Sequence, residues 1–148
     1  MTPLSLVLDT NVVLDLFVFR DPLLQPLVQR LEAGTVSAWV DEHTLRELEY
    51  VLAYPQFRLD AAARGAVLAR YQGLSRRVAE PAEAEASPVS PLPRCRDRDD
   101  QKFLELAARS GARWLVSKDK RVLSMADRAG LSFGIVSSRR VLALLPAG

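Results

Sequence analysis

Leu4-Ser5-Leu6-Val7-Leu8-Asp9-Thr10-Asn11 runs from five mostly apolar residues straight into an acid, a hydroxyl and an amide. Five residues suit a strand and are too few for an independent helix. Near-continuous apolar character marks a strand covered on both faces, as parallel sheets require. A carboxylate at the end of a buried strand costs free energy unless it is paired or holds a cation. Asp9 is therefore the first candidate for a functional residue.

Working outward, short apolar runs alternate with helical patterns. Val12 to Phe19 begins a helix, and Leu23, Leu24, Leu27, Val28 and Leu31 repeat at helical spacing up to Gly34. Val36 to Val40 is a second strand. Thr44-Leu45-Arg46-Glu47 has the form of a capping box at a helix start, and Pro55 stops that helix. Leu59 to Val78 reads as one further helix with an arginine-rich exposed side. Residues 79–93 are an irregular Ala/Glu/Pro segment that is too weak a break to mark a domain boundary. Asp97 to Ser110 is a helix ended by Gly111, Trp114 to Val116 a strand, Asp119 to Ala129 a helix ended by Gly130, Phe133 to Val136 a strand, and Ser138 to Leu145 a last helix. The alternation predicts an α/β fold, a three-layer α/β/α sandwich around a parallel sheet of four to five strands. Residues 1–148 form one domain on this reading, a size that supports one core.

The chain carries a net charge of +2 and 49% hydrophobic residues, ordinary values for a globular domain. The lone cysteine, Cys95, rules out an intramolecular disulfide and suits a reducing compartment. A catalytic thiol there is disfavoured, because His43 is the only histidine to serve it. The first residues have no basic leader, and no apolar run nears the roughly 20 residues needed to cross a bilayer. The expectation is a cytoplasmic protein with no membrane partner. Arginines in small groups around an acidic centre suit a cation together with a polyanion.

Further acids fall where open α/β sheets collect ligands, outside the carboxyl ends of strands. Asp119 follows the Trp114–Val116 strand. Asp100 opens the preceding helix, with Asp97 and Asp99 beside it. Glu47 lies one turn into the helix after Val36–Val40. If the Leu4–Leu8 and Trp114–Val116 strands are neighbours, Asp9, Asp100 and Asp119 converge on one rim. Each acid also has a local structural explanation. Asp97, Asp99 or Asp119 can cap a helix, and Glu47 can complete a capping box with Thr44. Together, several carboxylates repel one another and raise their own pKa values unless a divalent cation sits among them. Oxygen donors without a His or Cys cluster select Mg²⁺ or Mn²⁺ over zinc. Such a site suits metal-assisted attack of water on a phosphodiester.

These residues also carry a resemblance. Leu8-Asp9-Thr10-Asn11-Val12 resembles the first motif of PIN domains, and Arg46-Glu47-Leu48-Glu49-Tyr50-Val51-Leu52 the stretch bearing their second acid. Asp99-Asp100-Gln101-Lys102-Phe103-Leu104 and Leu115-Val116-Ser117-Lys118-Asp119-Lys120 resemble the third and fourth motifs. The order holds from Leu4 to about Leu145. The nearest subgroup is the bacterial one described as toxins of toxin–antitoxin pairs. The resemblance implies a metal-dependent endoribonuclease acting on single-stranded RNA, with Asp9, Glu47, Asp100 and Asp119 as catalytic acids. Asp9, Asp100 and Asp119 would hold the metal, and Asn11 and Ser117 would orient the acids. Asp97 and Asp99 would support them. An antitoxin protein is the implied partner, and a homodimer would extend the RNA groove. The chain departs from the subgroup at Arg98, Gln101, Lys118 and Arg121, which remove negative charge and bear on one-metal against two-metal operation.

Trp39 and Tyr54 are candidates for stacking on bases, although an aromatic residue beside a strand or helix is more often core. Two rivals come from other classes. A catalytically weak or inactive RNA-binding or protein-interaction domain on the same fold would tolerate the altered third and fourth motifs. A phospho-acceptor signalling domain also gathers acids at strand ends, but it needs an acidic pair near Asp9 that this chain lacks. An Asp-nucleophile phosphatase needs a second Asp where Asn11 stands.

Overall fold

The computed structural model describes residues 3–78, 98–126 and 130–146, with residues 98–100 as helix backbone only. Among the described residues five strands form one sheet: β1 (Leu4–Leu8), β2 (Val36–Val40), β3 (Ser75–Arg77), β4 (Trp114–Val116) and β5 (Gly134–Val136). Their order across the sheet is β3-β2-β1-β4-β5, and every pairing is parallel. The helices are α1 (Thr10–Phe17), α2 (Gln25–Ala33), α3 (Glu42–Leu52), α4 (Ala61–Leu74), α5 (Arg98–Ser110), α6 (Lys120–Leu123) and α7 (Ser138–Leu144). The expected three-layer α/β/α architecture is present.

Successive side chains on a strand point to opposite faces, and the two sheet faces sort accordingly. Leu6, Leu8, Val36, Ala38, Val40 and Val116 pack with the buried residues of α1, α2 and α3, including Val13, Leu27 and Leu48. Val7, Leu115 and Ile135 pack with Phe103, Leu104 and Ala107 of α5 and with Val122 of α6. β1 lies in the middle of the sheet. Its ladder to β4 registers Leu6 with Trp114 and Leu8 with Val116 and runs one step further, Asp9 N–H donating to the Val116 carbonyl at 3.0 Å. From β1 the chain builds outward through β2 and β3 on one side and through β4 and β5 on the other. The order thus reverses between β1 and β4, where open α/β sheets leave a crevice.

Several boundaries differ from the sequence reading. The helix expected over residues 59–78 ends at Leu74, and Ser75–Arg77 turns into the edge strand β3. Thr44 is not an N-cap. α3 starts earlier, after Asp41, whose Oδ1 accepts from Thr44 N–H at 2.8 Å. The Thr44 hydroxyl in return accepts from Asp41 N–H at 3.1 Å. The capping box is Asp41/Thr44, set by where β2 ends, and Glu47 has no part in it. The helix expected from Asp119 is short: α6 covers Lys120–Leu123, and the Ser124 hydroxyl donates back to the Arg121 carbonyl at 2.7 Å, a local bond that competes with helix continuation. Gly134 sits where β5 passes the Trp114 indole; a Cβ there would lie 2.2 Å from a Trp114 ring carbon. The Arg113 guanidinium covers that ring, 4.3 Å from its centroid. No described helix is long and apolar enough to cross a membrane.

Candidate active site

Asp9 and Asp119 meet at the switch point. Asp9 ends β1 and is the N-cap of α1, its Oδ1 accepting from Val12 N–H at 3.0 Å. Only 4% of its surface is exposed. Ser117 follows β4 directly, is fully buried, and donates its hydroxyl to Asp9 Oδ2. The same oxygen of Ser117 accepts from Asp119 N–H at 3.0 Å. One hydroxyl therefore ties the two acidic loops together. Burial pushes the Asp9 carboxyl above its ordinary value. The Ser117 hydroxyl and the amides of Val12 and Lys118 pull against that rise, while the neighbouring Asp119 charge adds to it. Asp119 caps α6 through Oδ1, which accepts from Arg121 N–H at 2.8 Å.

Glu47 belongs to a second cluster at the same end of α1. It projects from the second turn of α3, about one-fifth exposed. Its Oε2 accepts from the Thr10 hydroxyl and its Oε1 from Lys102 Nζ at 2.7 Å. Thr10 is the residue next to Asp9, so the two clusters are joined by one peptide unit. Lys102 anchors the first half of α5 to this rim, and Asp100 lies two residues earlier on the same helix. A third contact lies nearby: Lys118, between Ser117 and Asp119 in sequence, pairs with Asp15 of α1 at 2.8 Å.

Of the residues singled out in the sequence, Asp9, Ser117 and Asp119 come together. Glu47 stands beside them through Thr10. Asp99 and Asp100 lie on the helix backbone at the start of α5, with their side chains outside the description, and Asp97 and Cys95 lie outside the described residues. Asn11 is exposed, and its neighbour Thr10 makes the contact to an acid. Trp39 is partly buried against the α5-side core, with a buried Nε1 that has no hydrogen-bond partner among the described residues. Tyr54 is 46% exposed. Thr10, Lys102 and the Lys118–Asp15 pair were not identified from sequence. Thr10 sits inside the first motif and Lys102 inside the third, but nothing in a linear pattern says that they share Glu47.

Among the described residues no three carboxylate, imidazole or thiol groups form a metal-holding set. The donors that do meet are oxygens alone, and the buried Asp9 carboxylate carries a charge that its surroundings only partly offset. That chemistry is of the kind a hard divalent cation takes.

The PIN-domain family model matches residues 5–121, from within β1 to within α6. No curated protein matches the chain.

Proposed function

Since the chain belongs to the PIN-domain family, a family with a nuclease-type fold, we propose that it is a metal-dependent endoribonuclease hydrolysing phosphodiester bonds of single-stranded RNA. The observation that carries this reading is the buried Asp9 at the end of the central strand, tied through Ser117 to the Asp119 loop. Asp9, Asp100 and Asp119 would hold Mg²⁺ or Mn²⁺. When bound, the cation supplies a water of lowered pKa and neutralises charge on the phosphate. Ser117 keeps Asp9 Oδ2 and the Asp119 backbone in fixed relation. Glu47, steered by Thr10 and Lys102, orients the attacking water or accepts its proton. Asp97 and Asp99 would support these acids. Lys118 carries an ammonium group next to the site for the RNA backbone.

A cytoplasmic location, suited to a chain with one cysteine, and a role as toxin of a toxin–antitoxin pair belong to the same reading. The Lys102–Glu47 pair favours one alternative, a catalytically weak RNA-binding domain, because the ammonium already neutralises one acid. Cleavage of a labelled single-stranded RNA by purified protein, with Mg²⁺ or Mn²⁺ and then with excess chelator, decides between them. The nuclease reading expects cutting that chelator abolishes and that Asp9→Asn removes. Cutting that survives exhaustive chelation overturns the metal mechanism, and RNA binding without cutting selects the alternative.

A further inference from the structure

A groove of about 390 Å³ opens beside the Glu47 rim, between the C-terminal half of α3 and the start of α4. It is lined by Arg46, Glu49, Tyr50, Ala53 and Arg64. Arg46, Glu49 and Tyr50 of α3 and Ala53, its C-cap, follow i, i+3, i+4, i+7 spacing and so form one stripe. Tyr50 is 68% exposed. Ala53 leaves space where a larger residue would close the groove. Glu42 holds Arg46 by a bond of 2.7 Å, and Arg64 Nη1 donates to the Leu59 carbonyl at 3.0 Å. Both guanidiniums are thus anchored at the edge of the groove. Just past α3, Tyr54 stacks on Phe57 with rings 5° from parallel and centroids 6.3 Å apart, and Phe57 meets the exposed Phe19 edge-on.

We propose that this groove is a subsite for one nucleobase of a single-stranded RNA, with guanine preferred; the assignment deepens the ribonuclease reading and rests on it. Three features select a base over other occupants. Tyr50 offers an open ring face, which any base can stack on. The two arginines meet the phosphates on either side of that base. Glu49 carries only acceptors, so the base must bring N–H donors, and guanine presents two adjacent ones on its Watson–Crick edge. The position fits as well. Tyr50 is one turn beyond Glu47 on the same helix, about 4.5 Å along the axis and about 60° around it. A strand crossing the Glu47 rim reaches Tyr50 with a neighbouring nucleotide.

The test is binding of fluorescent uridine-rich octamers, with and without a single guanosine, to the full-length Asp9→Asn chain, which separates binding from cutting. The octamer with guanosine should bind more tightly. Tyr50→Ala should weaken binding of both octamers by about fivefold or more, the scale of a lost base–aromatic stack, and Tyr50→Trp should restore it. Glu49→Gln should remove the guanosine preference and keep binding of the plain octamer. Unchanged affinity in Tyr50→Ala, or an intact guanosine preference in Glu49→Gln, overturns the subsite while leaving the nuclease reading standing. The expected pattern in a chain that never cuts RNA upholds the subsite and removes the nuclease. A Tyr50→Ala chain whose only change is loss of self-association in sedimentation overturns the subsite and makes this face a contact between copies.

Discussion

Replacing Glu47 by glutamine tests the rim most directly, because the side chain has two identified partners and no capping role. Lys102 Nζ has only donors and sits 2.7 Å from Oε1, so the amide oxygen of the glutamine must face it. The amide NH₂ then faces Thr10, whose hydroxyl rotates from donating to accepting. Both contacts survive, and what is lost is the carboxylate charge opposite one ammonium. That pair is only about one-fifth to one-quarter exposed, so screening is partial and loss of the charge costs about 1–3 kcal/mol. For a chain of this size that is a fall in Tm of about 2–10 °C. Turnover behaves differently. If Glu47 orients or deprotonates the attacking water, the amide cannot replace it, and the rate falls on the order of 10²-fold or more. The assay is single-turnover cleavage of a labelled RNA at saturating protein, beside a thermal melt of the same preparation. Thr44→Ala is the control. It breaks the Asp41/Thr44 box, leaves Asp41 N–H without its partner, and should cost about 1 kcal/mol with normal turnover. A Glu47→Gln chain that cuts within twofold of wild type would refute the reasoning and leave Glu47 as an anchor for Lys102 alone.

Two further outcomes follow from burial and packing. The Asp9 carboxyl is raised by burial in the folded chain, so between its unfolded value of 3.8 and its folded value the native state binds more protons than the unfolded one. Stability therefore falls as pH rises through that window; Asp9→Asn should melt higher than wild type at pH 7 without metal, with the gap closing as pH falls toward 4, and a gap that widens on acidification would contradict the burial argument. Gly134→Ala should lower Tm by several degrees, because its Cβ meets the Trp114 ring at 2.2 Å and overpacking of this kind costs about 1–3 kcal/mol; an unchanged melt would mean that the indole swings clear.

The parts of the fold that sequence patterns revealed are those whose cause is local. β1 and β2 are apolar runs bounded by turn residues, and their observed limits coincide with the expected ones. β3 was hidden because an edge strand with exposed Arg76 and Arg77 has no apolar alternation to display. Only its pairing with β2, through Ala38–Ser75 and Trp39–Arg76, makes it a strand. The capping register of α3 was misread for a similar reason. Thr44-Leu45-Arg46-Glu47 has the form of a capping box, but the end of β2 makes Asp41 the N-cap. In the site, Asp9 and Asp119 could be found because each follows a strand-like run. The Thr10–Glu47 and Lys102–Glu47 contacts span 37 and 55 residues, and no periodicity encodes such distances.

The central place of β1 has a consequence for the chain as it is being made. β1 precedes the other described strands in the chain, yet one of its two neighbours, β4, begins at Trp114. Until that stretch emerges, one backbone edge of β1 has no native partner, and Asp9 lacks both the Ser117 hydroxyl and the Val116 carbonyl. A nascent or truncated chain ending before residue 117 therefore cannot assemble the Asp9 rim, however well its first half collapses. That rim forms only once the segment through Ser117 is available to fold, so a product interrupted before it presents an open edge for aggregation or proteolysis.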